Sequence, residues 1–393
     1  MNPSGFAAAD VIEQRFSVAF DYPVVFCRGA FELDDSTLAW AVSRREPERR
    51  HPLVAVIDAG LAQAQPELSR KIVAYASARA AVLELRGEPH VVLGGEAAKN
   101  DPALIRALHG AFAAAKLDRH AAVLAVGGGA FLDAVGYAAA TTHRGVRLVR
   151  MPSTVLSQND GGVGVKNGVN AFDAKNFVGT FAPPYAVLND SELLATLPLR
   201  DARAGMAEAV KVALIRDAAF FGWLEQHAVS LSRAEPAPLE TLVRRAAAIH
   251  LAHIASGGDP FEMGSARPLD YGHWAAHKLE VLSGHELRHG EAVAIGMLLD
   301  ARYAERAGYL SAEELRRIAA LLAALGLPRY HAALGETRGG RLAVLAGLEE
   351  FREHLGGNLT VTLLAGIGAT RDVSSMDPDG VAEAVDWLSR GAG

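Results

Sequence analysis

Cysteine is all but missing from this 393-residue chain. Cys27 stands alone, so no internal disulfide can form, and a reducing, cytoplasmic setting is expected. Basic charge is not in surplus either. The 39 Lys and Arg are outnumbered by 45 Asp and Glu, a net charge of −6 with no long block of either sign. A binder of DNA or RNA carries a basic surplus or patch, so nucleic acid is not an expected partner. Long apolar runs are lacking as well. The longest, Ala121 to Ala140, is broken by Gly127, Gly128, Gly129 and Asp133, whereas a membrane span takes about 20 apolar residues. Met1 to Phe20 scatters Asp10, Glu13 and Arg15 through short apolar pieces, which is not the pattern of an export signal. A soluble protein with no membrane partner is expected.

Lysine is scarce among the cations. Arg does most of the surface work, and three of the few Lys, namely Lys166, Lys175 and Lys211, fall in one span whose first part is rich in Gly and Asn. Lysine is a compact point charge on a flexible stem and suits a phosphate or a reacting oxygen; chance would also produce such a grouping. With 50% hydrophobic residues, a chain of this length suits two or three domains and can bury about 75% of its unfolded surface.

The first half alternates strand-like and helix-like segments. Leu53 to Ile57 is a short apolar run ending at Asp58, and Gln65 to Ala78 follows with helical spacing at Leu68, Ile72 and Tyr75. Val91 to Leu93 begins a second unit. Asp101 then Pro102 signals a helix start, continued by the stripe Leu104, Ile105, Leu108 and Phe112. Ala121 to Val126 reads as a buried strand, Ala130 to Thr141 as a helix and Val146 to Val149 as the next strand. This alternation predicts a parallel sheet covered on both faces. From about Leu188 the character becomes helical: Pro198 to Arg216, Leu239 to Ser256, Leu269 to Leu282, Glu291 to Ala307 and Ser311 to Leu325, with one late strand at Leu359 to Leu364. The expected division is therefore an α/β domain over 1–188 and a mainly helical one over 189–393. Met151 to Pro184 is long and irregular, which marks a functional segment, and its Val and Phe residues argue against disorder.

Three constellations could carry chemistry. Gly127-Gly128-Gly129 lies where a strand hands over to a helix, so the backbone can approach a pyrophosphate and the helix start offers free N–H groups; a tight packing turn would look the same. Asp58 could accept ribose hydroxyls or simply be solvated. Glu208 and Lys211, three apart on a helix, share a face among apolar neighbours. His273 and His277 lie one helical turn apart, and His289 opens the next helix. Imidazole and carboxylate suit zinc, and a catalytic zinc keeps three protein ligands and an open position. An incidental histidine cluster fits that spacing equally.

Taken in order, the motifs form a pattern. Val126-Gly-Gly-Gly-Ala-Phe-Leu-Asp133, Met151-Pro-Ser-Thr-Val-Leu-Ser-Gln-Asn-Asp160, Val163-Gly-Val-Lys166, Lys175-Asn176, Ala207-Glu208-Ala-Val-Lys211, Gly272-His273 and His289-Gly-Glu-Ala-Val293 resemble the dehydroquinate synthases. More broadly they resemble the sugar phosphate cyclase superfamily, and most of all its Ebo-type subgroup.

The resemblance implies an NAD-binding α/β domain and a divalent metal, zinc or cobalt, at the cleft with a helical domain. It makes Glu208, His273 and His289 the metal ligands and His277 a contact to the substrate phosphate. Asp58, Glu96, Lys99, Gly128, Gly129, Asp133, Ser153 and Thr154 become dinucleotide contacts. Asp160, Lys166, Lys175, Asn176 and Lys211 face cofactor and substrate, with Asp270 among the catalytic set. Arg144 matches an arginine that reaches the neighbouring subunit's site, which implies a homodimer. The implied reaction converts a sugar phosphate to a carbocycle by transient oxidation with NAD, β-elimination of phosphate, re-reduction and intramolecular aldol closure. Departures bear on the substrate. His250 stands where dehydroquinate synthases place a lysine for the substrate carboxylate, Arg267 is displaced after an insertion around Gly258 to Met263, Asp270 replaces an asparagine, and Val165 replaces a glycine. A seven-carbon ketose phosphate without a carboxylate, such as sedoheptulose 7-phosphate, is expected. Alternatives are 3-dehydroquinate synthesis itself and an NAD-dependent, metal-containing polyol dehydrogenase.

Overall fold

A computed structural model describes residues 12–172, 174–256, 268–354 and 356–391. The first half of the chain supplies β1 (Val24–Cys27), β2 (His51–Asp58), β3 (Leu83–Leu85), β4 (His90–Val92), β5 (Ala122–Gly127), β6 (Arg147–Pro152), a hairpin of β7 (Lys166–Ala171) and β8 (Ala174–Phe181), and β9 (Ala186–Asp190). Seven of these form one parallel sheet in the order β1-β9-β6-β5-β2. Beyond β2, β3 pairs with its first half and β4 with its second. The side chains of β2 show why helices must cover both faces. Leu53, Ala55 and Ile57 enter one apolar core with Ile72 and Tyr75, while Val54 and Val56 enter another with Phe112 and Phe131. Strand side chains alternate faces, so an all-apolar strand needs a partner layer on each side.

The expected strands at 53–57, 91–93, 121–126 and 146–149 all fall within or overlap these elements. So does the helix after Asp101, whose carboxylate caps it by accepting from Ala103 N with Pro102 in the first turn. β1 and β9 escape the sequence reading, and β9 straddles residue 188. The stretch expected to be irregular is also more ordered. It holds the short helix Val155–Asn159 and the antiparallel hairpin, whose strands pair Val169 with Val178 and Lys166 with Phe181.

The second half packs helices around one large apolar core. Two of them run through its centre. Leu199–Arg216 is buried from Ala204 to Ile215, and His289–Arg306 from Gly290 to Ala301. They touch where Gly290 has no side chain: a Cβ there would stand 1.9 Å from Ala204 O. The expected helix from Leu269 is shorter in fact. A 3₁₀ turn, Pro268–Asp270, stops at Gly272, whose φ of +78° breaks the helix so that the new one starts at His273 and runs to Leu282. That break is held from below by the buried Asp300, whose carboxylate accepts from Gly272 N at 3.1 Å and from Trp274 Nε1 at 2.9 Å. The helices Ala218–Ser232, Pro236–Ser256, Ala312–Ala324, Ala346–His354 and Pro378–Ser389 and the antiparallel strands Val361–Gly366 and Ala369–Val373 make up most of the rest, and the expected helices from Leu239 and Ser311 and the late strand fall within or overlap them.

Burial pushes the Asp300 carboxyl up to about 7 against those two donated hydrogen bonds. Its folded pKa thus lies above the ordinary unfolded value of about 4. The stabilisation it gives is complete below about pH 4 and is lost as pH rises through about 7. We expect the unfolding free energy of the wild type, relative to Asp300→Asn, to fall between pH 5 and pH 8 in denaturant titrations. A pH-independent difference would show that Asp300 does not change protonation on folding.

Candidate active site

Two halves of the chain meet at the carboxyl ends of β5 and β6. After β6, the helix Val155–Asn159 begins with a capping box between Thr154 and Ser157. It docks on helix Leu199–Arg216 through Asn159 Nδ2, which donates to Gly205 O at 2.9 Å. One turn beyond Gly205, Glu208 is buried with its carboxylate in ion-pair contact with the Lys211 ammonium. Burial alone would raise the Glu208 pKa, but Lys211 and His289 together outweigh it and hold the group at about 2. Lys211 stays protonated in turn: burial works against its charge, and the Glu208 and Asp160 carboxylates prevail.

Oε1 of Glu208 faces two imidazoles. It lies 3.6 Å from His273 Nε2 and 3.6 Å from His289 Nε2, too long for good hydrogen bonds. This buried oxygen has no hydrogen-bond partner among the described residues. The far nitrogen of each ring is held from behind. His273 Nδ1 meets Tyr271 O at 3.1 Å, and His289 Nδ1 meets Glu280 Oε2 at 3.3 Å. Each ring so held turns Nε2 toward the carboxylate. Burial drives His273 well below the usual histidine range, toward the neutral ring that a metal requires. His289 behaves oppositely. Burial disfavours its charge, but the carboxylates of Glu208 and Glu280 raise it to about 10. The donor atoms of Glu208, His273 and His289 all lie within 4.8 Å of one another. Zinc ligands at about 2.0–2.2 Å in tetrahedral array stand about 3.4 Å apart. An unpartnered buried oxygen between two Nε2 atoms at that spacing fits a divalent ion. His277, Glu280 and His289 form a second group of the same span, but His277 is exposed, and its ring centroid lies 5.3 Å from that of His273.

Asp160 closes the other side. His250 Nδ1 reaches Asp160 Oδ1 at 2.8 Å; burial would raise the Asp160 pKa, yet His250 and Lys211 bring it to about 2. Asp270, in its 3₁₀ turn, adds to the field that keeps Lys211 charged.

The expected dinucleotide residues also cluster. The 13-residue helix Gly129–Thr141 starts at Gly128 with no side-chain cap, leaving its first N–H groups open to an anion. Asp58 caps the helix Ala59–Ala64 with Oδ1, which accepts from Gly60 N at 2.8 Å. Its Oδ2 packs against Gly94, where a Cβ would collide at 1.9 Å. Ser153 is buried beside the glycine turn, its N–H donating to Gly127 O. Lys99 joins Asp133 at 2.8 Å and touches the Asn176 side-chain oxygen, while Glu96 accepts from Asn170 Nδ2 at 2.6 Å. The hairpin that bears Lys166, Lys175 and Asn176 is thereby tied to both regions, for Lys175 Nζ also reaches Glu280 Oε1 at 3.1 Å.

Comparison with known proteins identifies the family. The 3-dehydroquinate synthase N-terminal family matches residues 90–204 and its C-terminal counterpart residues 205–340. The chain is 41% identical over 265 residues to 2-epi-5-epi-valiolone synthase of Streptomyces glaucescens, covering 66% of this chain and 68% of that one. The chain belongs to the 3-dehydroquinate synthase family of sugar phosphate cyclases. A 3-dehydroquinate synthase of Halorhodospira halophila is 39% identical over 269 residues, or 68% of this chain and 74% of the relative. Among solved structures, 2-epi-5-epi-valiolone synthase of Streptomyces hygroscopicus, with NAD+ and Zn2+ bound, superposes with a TM-score of 0.85. It is 31% identical, and the match covers 96% of this chain and 99% of that one. A probable glycerol dehydrogenase of Sinorhizobium meliloti, 18% identical at a TM-score of 0.57, shares the fold alone.

Within this family frame, Arg144 stands apart from the other expected residues. It is exposed on the turn before β6, at the amino ends of the strands, whereas Gly127–Gly129 lie at the carboxyl ends. Arg267 and the insertion around Gly258 to Met263 lie outside the described residues. Two contributors went unnoticed in the sequence. Glu280 is one; its only signal is that it falls seven residues after His273, on the same helical face. Arg150 is the other. Fully buried in β6, it donates to Gly164 O at 3.1 Å, Lys166 O at 2.7 Å and Asn167 Oδ1 at 2.6 Å, and so shapes the loop between Asp160 and Lys166. A lone Arg inside a strand gives no such warning. Arg150→Met should cost on the order of 3 kcal/mol, since each buried acceptor left without a donor costs about 1–3 kcal/mol. Denaturant unfolding measures this; a loss under about 1 kcal/mol would mean that water replaces the guanidinium.

Proposed function

We propose that this protein is a sugar phosphate cyclase that takes a seven-carbon ketose phosphate without a carboxylate, such as sedoheptulose 7-phosphate, and closes it to a carbocycle with loss of phosphate. The observation that carries the reading is the Glu208, His273 and His289 cluster, whose carboxylate oxygen Oε1 has no hydrogen-bond partner among the described residues, linked through the Lys175-Asn176 hairpin to the side of the uncapped glycine turn. A divalent ion, zinc or cobalt, belongs in the first and NAD in the second. When bound, the ion supplies a Lewis acid for a ring oxygen, and the dinucleotide a hydride acceptor that is restored at the end of the cycle.

The chain's own residues do the rest. Lys211 keeps Glu208 ionised at its buried position. Asp58, Glu96, Lys99, Asp133, Ser153 and Thr154 line the dinucleotide cradle around Gly128 and Gly129. His277 projects from the metal-side helix toward solvent, where a phosphate can accept a hydrogen bond from its ring. Lys166, Lys175 and Asn176 approach from the hairpin. Charge-assisted hydrogen bonds from such groups are worth about 1.5–3 kcal/mol each. Arg144 is assigned to the site of a second subunit, so the working form is a homodimer. A cytoplasmic setting suits the single free thiol.

The substrate reading rests on Asp160 and His250. A carboxylate entering here would meet the Asp160 anion and an imidazole already engaged with it, instead of the lysine that dehydroquinate synthases place at position 250. Leaving a carboxylate without its cationic partner costs several kcal/mol. The likeness to valiolone synthases supports the same side; the likeness to dehydroquinate synthases is the alternative to be tested.

Purified protein with NAD and zinc or cobalt should release phosphate from sedoheptulose 7-phosphate and leave the NAD level unchanged at the end. Turnover of only the carboxylate-bearing substrate would assign it to 3-dehydroquinate synthesis, and net NADH accumulation with a simple polyol would make it a dehydrogenase. His273→Ala should lose bound metal and at least about 100-fold in turnover while unfolding at a similar temperature; retained metal and turnover would remove the ligand assignment.

A further inference from the structure

We propose that Glu280 is the positioning residue of this site: one carboxylate that orients the ring of His289 and anchors Lys175 of the opposing hairpin. The inference rests on the reading that Glu208, His273 and His289 share an ion.

Glu280 lies on helix His273–Leu282 and, at seven residues from His273, on nearly the same face. Its side chain is 7% exposed, unusual for a glutamate. Burying such a charge is unfavourable unless it is paired, and here both oxygens are engaged by different elements. Oε2 lies 3.3 Å from His289 Nδ1, at the start of the next helix, and Oε1 lies 3.1 Å from Lys175 Nζ, in β8. A carboxylate at Nδ1 selects the ring orientation and tautomer in which Nε2 is free to bind a metal, and makes that nitrogen more basic. Without Glu280 nothing polar at hydrogen-bond distance among the described residues fixes which way the ring of His289 faces: Glu208 Oε1 lies 3.6 Å away, and the rings of His273 and His277, with centroids 5.4 and 5.8 Å off, offer packing alone. The second oxygen gives the same carboxylate a further role. It fixes the ammonium of Lys175, which otherwise extends from an exposed hairpin, at the edge of the metal cluster. One group thus sets the distance between a metal ligand and a substrate-facing cation that belong to different halves of the chain.

The test compares wild type, Glu280→Gln and Glu280→Ala loaded with cobalt. Loss of a residue that orients a metal ligand typically weakens binding 10–100-fold. We expect the cobalt dissociation constant, from competition with a chelator, to rise about 10-fold in Glu280→Gln, which keeps an acceptor but no charge, and up to about 100-fold in Glu280→Ala. The visible cobalt spectrum should change in both. A role confined to packing would lower the unfolding temperature without moving the cobalt spectrum of the folded protein. Binding within twofold of wild type, with an unchanged spectrum, overturns the proposal. Should neither variant fold, NMR of histidine-labelled, cadmium-loaded wild type decides it: coupling of the metal to Nε2 of His289 supports the assignment, and coupling to Nδ1, the nitrogen given to Glu280, overturns it. Wild type that takes up no cobalt defeats the cluster reading itself, whereas wild type that binds and variants that bind equally defeat only the role of Glu280.

Discussion

The arrangement depends on one buried carboxylate oxygen that has no hydrogen-bond partner among the described residues. Glu208 Oε1 stands between two Nε2 atoms, each 3.6 Å away, while the other oxygen meets Lys211. An ionised carboxylate in a helical core is tolerated only when its charge is compensated. Lys211 compensates part of it, and an ion bound by the two imidazoles would compensate the rest. Around this point the helices have little freedom. Helix Leu199–Arg216 must cross His289–Arg306 at Gly290, where no side chain fits. His273 must start a helix at a left-handed glycine pinned by Asp300. The three donors therefore converge from two helix starts and one helix centre, each fixed by backbone contacts.

The sheet domain contributes a second fixed object, the glycine turn, and a connecting piece. In parallel sheets, ligands bind outside the carboxyl ends of the strands, which is where Gly127 to Gly129 and Ser153-Thr154 lie. The hairpin between β6 and β9 then reaches both ways. Asn176, at a φ of +55°, sits against Lys99 beside Asp133, while Lys175, one residue earlier, turns to Glu280. Adjacent residues on one strand point to opposite sides. That alternation lets two neighbouring residues of the hairpin touch the cradle with one side chain and the proposed metal cluster with the next.

Much of this was legible in the sequence, for physical reasons that differ by element. The all-apolar strands, the Asp101-Pro102 helix start and the glycine turn are local signals, and each falls where it was expected. The proposed metal cluster had local signals as well: His273 and His289 each stand at a helix start, and Glu208 is a charge among apolar neighbours. What could not be read was tertiary. β1 is only four residues long and partly exposed, and it becomes a strand by pairing with β9. The helix expected from Leu269 is interrupted by Gly272, whose left-handed turn is held by a carboxylate 28 residues away. Glu280 looks like any glutamate on an amphipathic helix until Lys175 and His289, 105 and nine residues distant, are brought to it.

The pair of Asp160 and His250 joins these themes to the choice of substrate. Asp160 closes the helix that docks the two halves, at the end of the turn shaped by Arg150, and cannot move far without disturbing both. It therefore remains as a fixed anion in the cleft. Lysine at position 250 could pair with that anion and still keep donors for an incoming carboxylate, because an ammonium has three donors and stays protonated. Imidazole has two ring nitrogens. Nδ1 is committed to Asp160 at 2.8 Å, and Nε2 packs near Gly164. The local charge is then at best neutral, and a second carboxylate would have to be desolvated beside the first. A hydroxyl group at the same place asks only for a hydrogen bond, which Asp160 can accept. On the proposed reading, the choice between an acid and an alcohol at one carbon of the substrate turns on whether residue 250 has a donor left after pairing with Asp160.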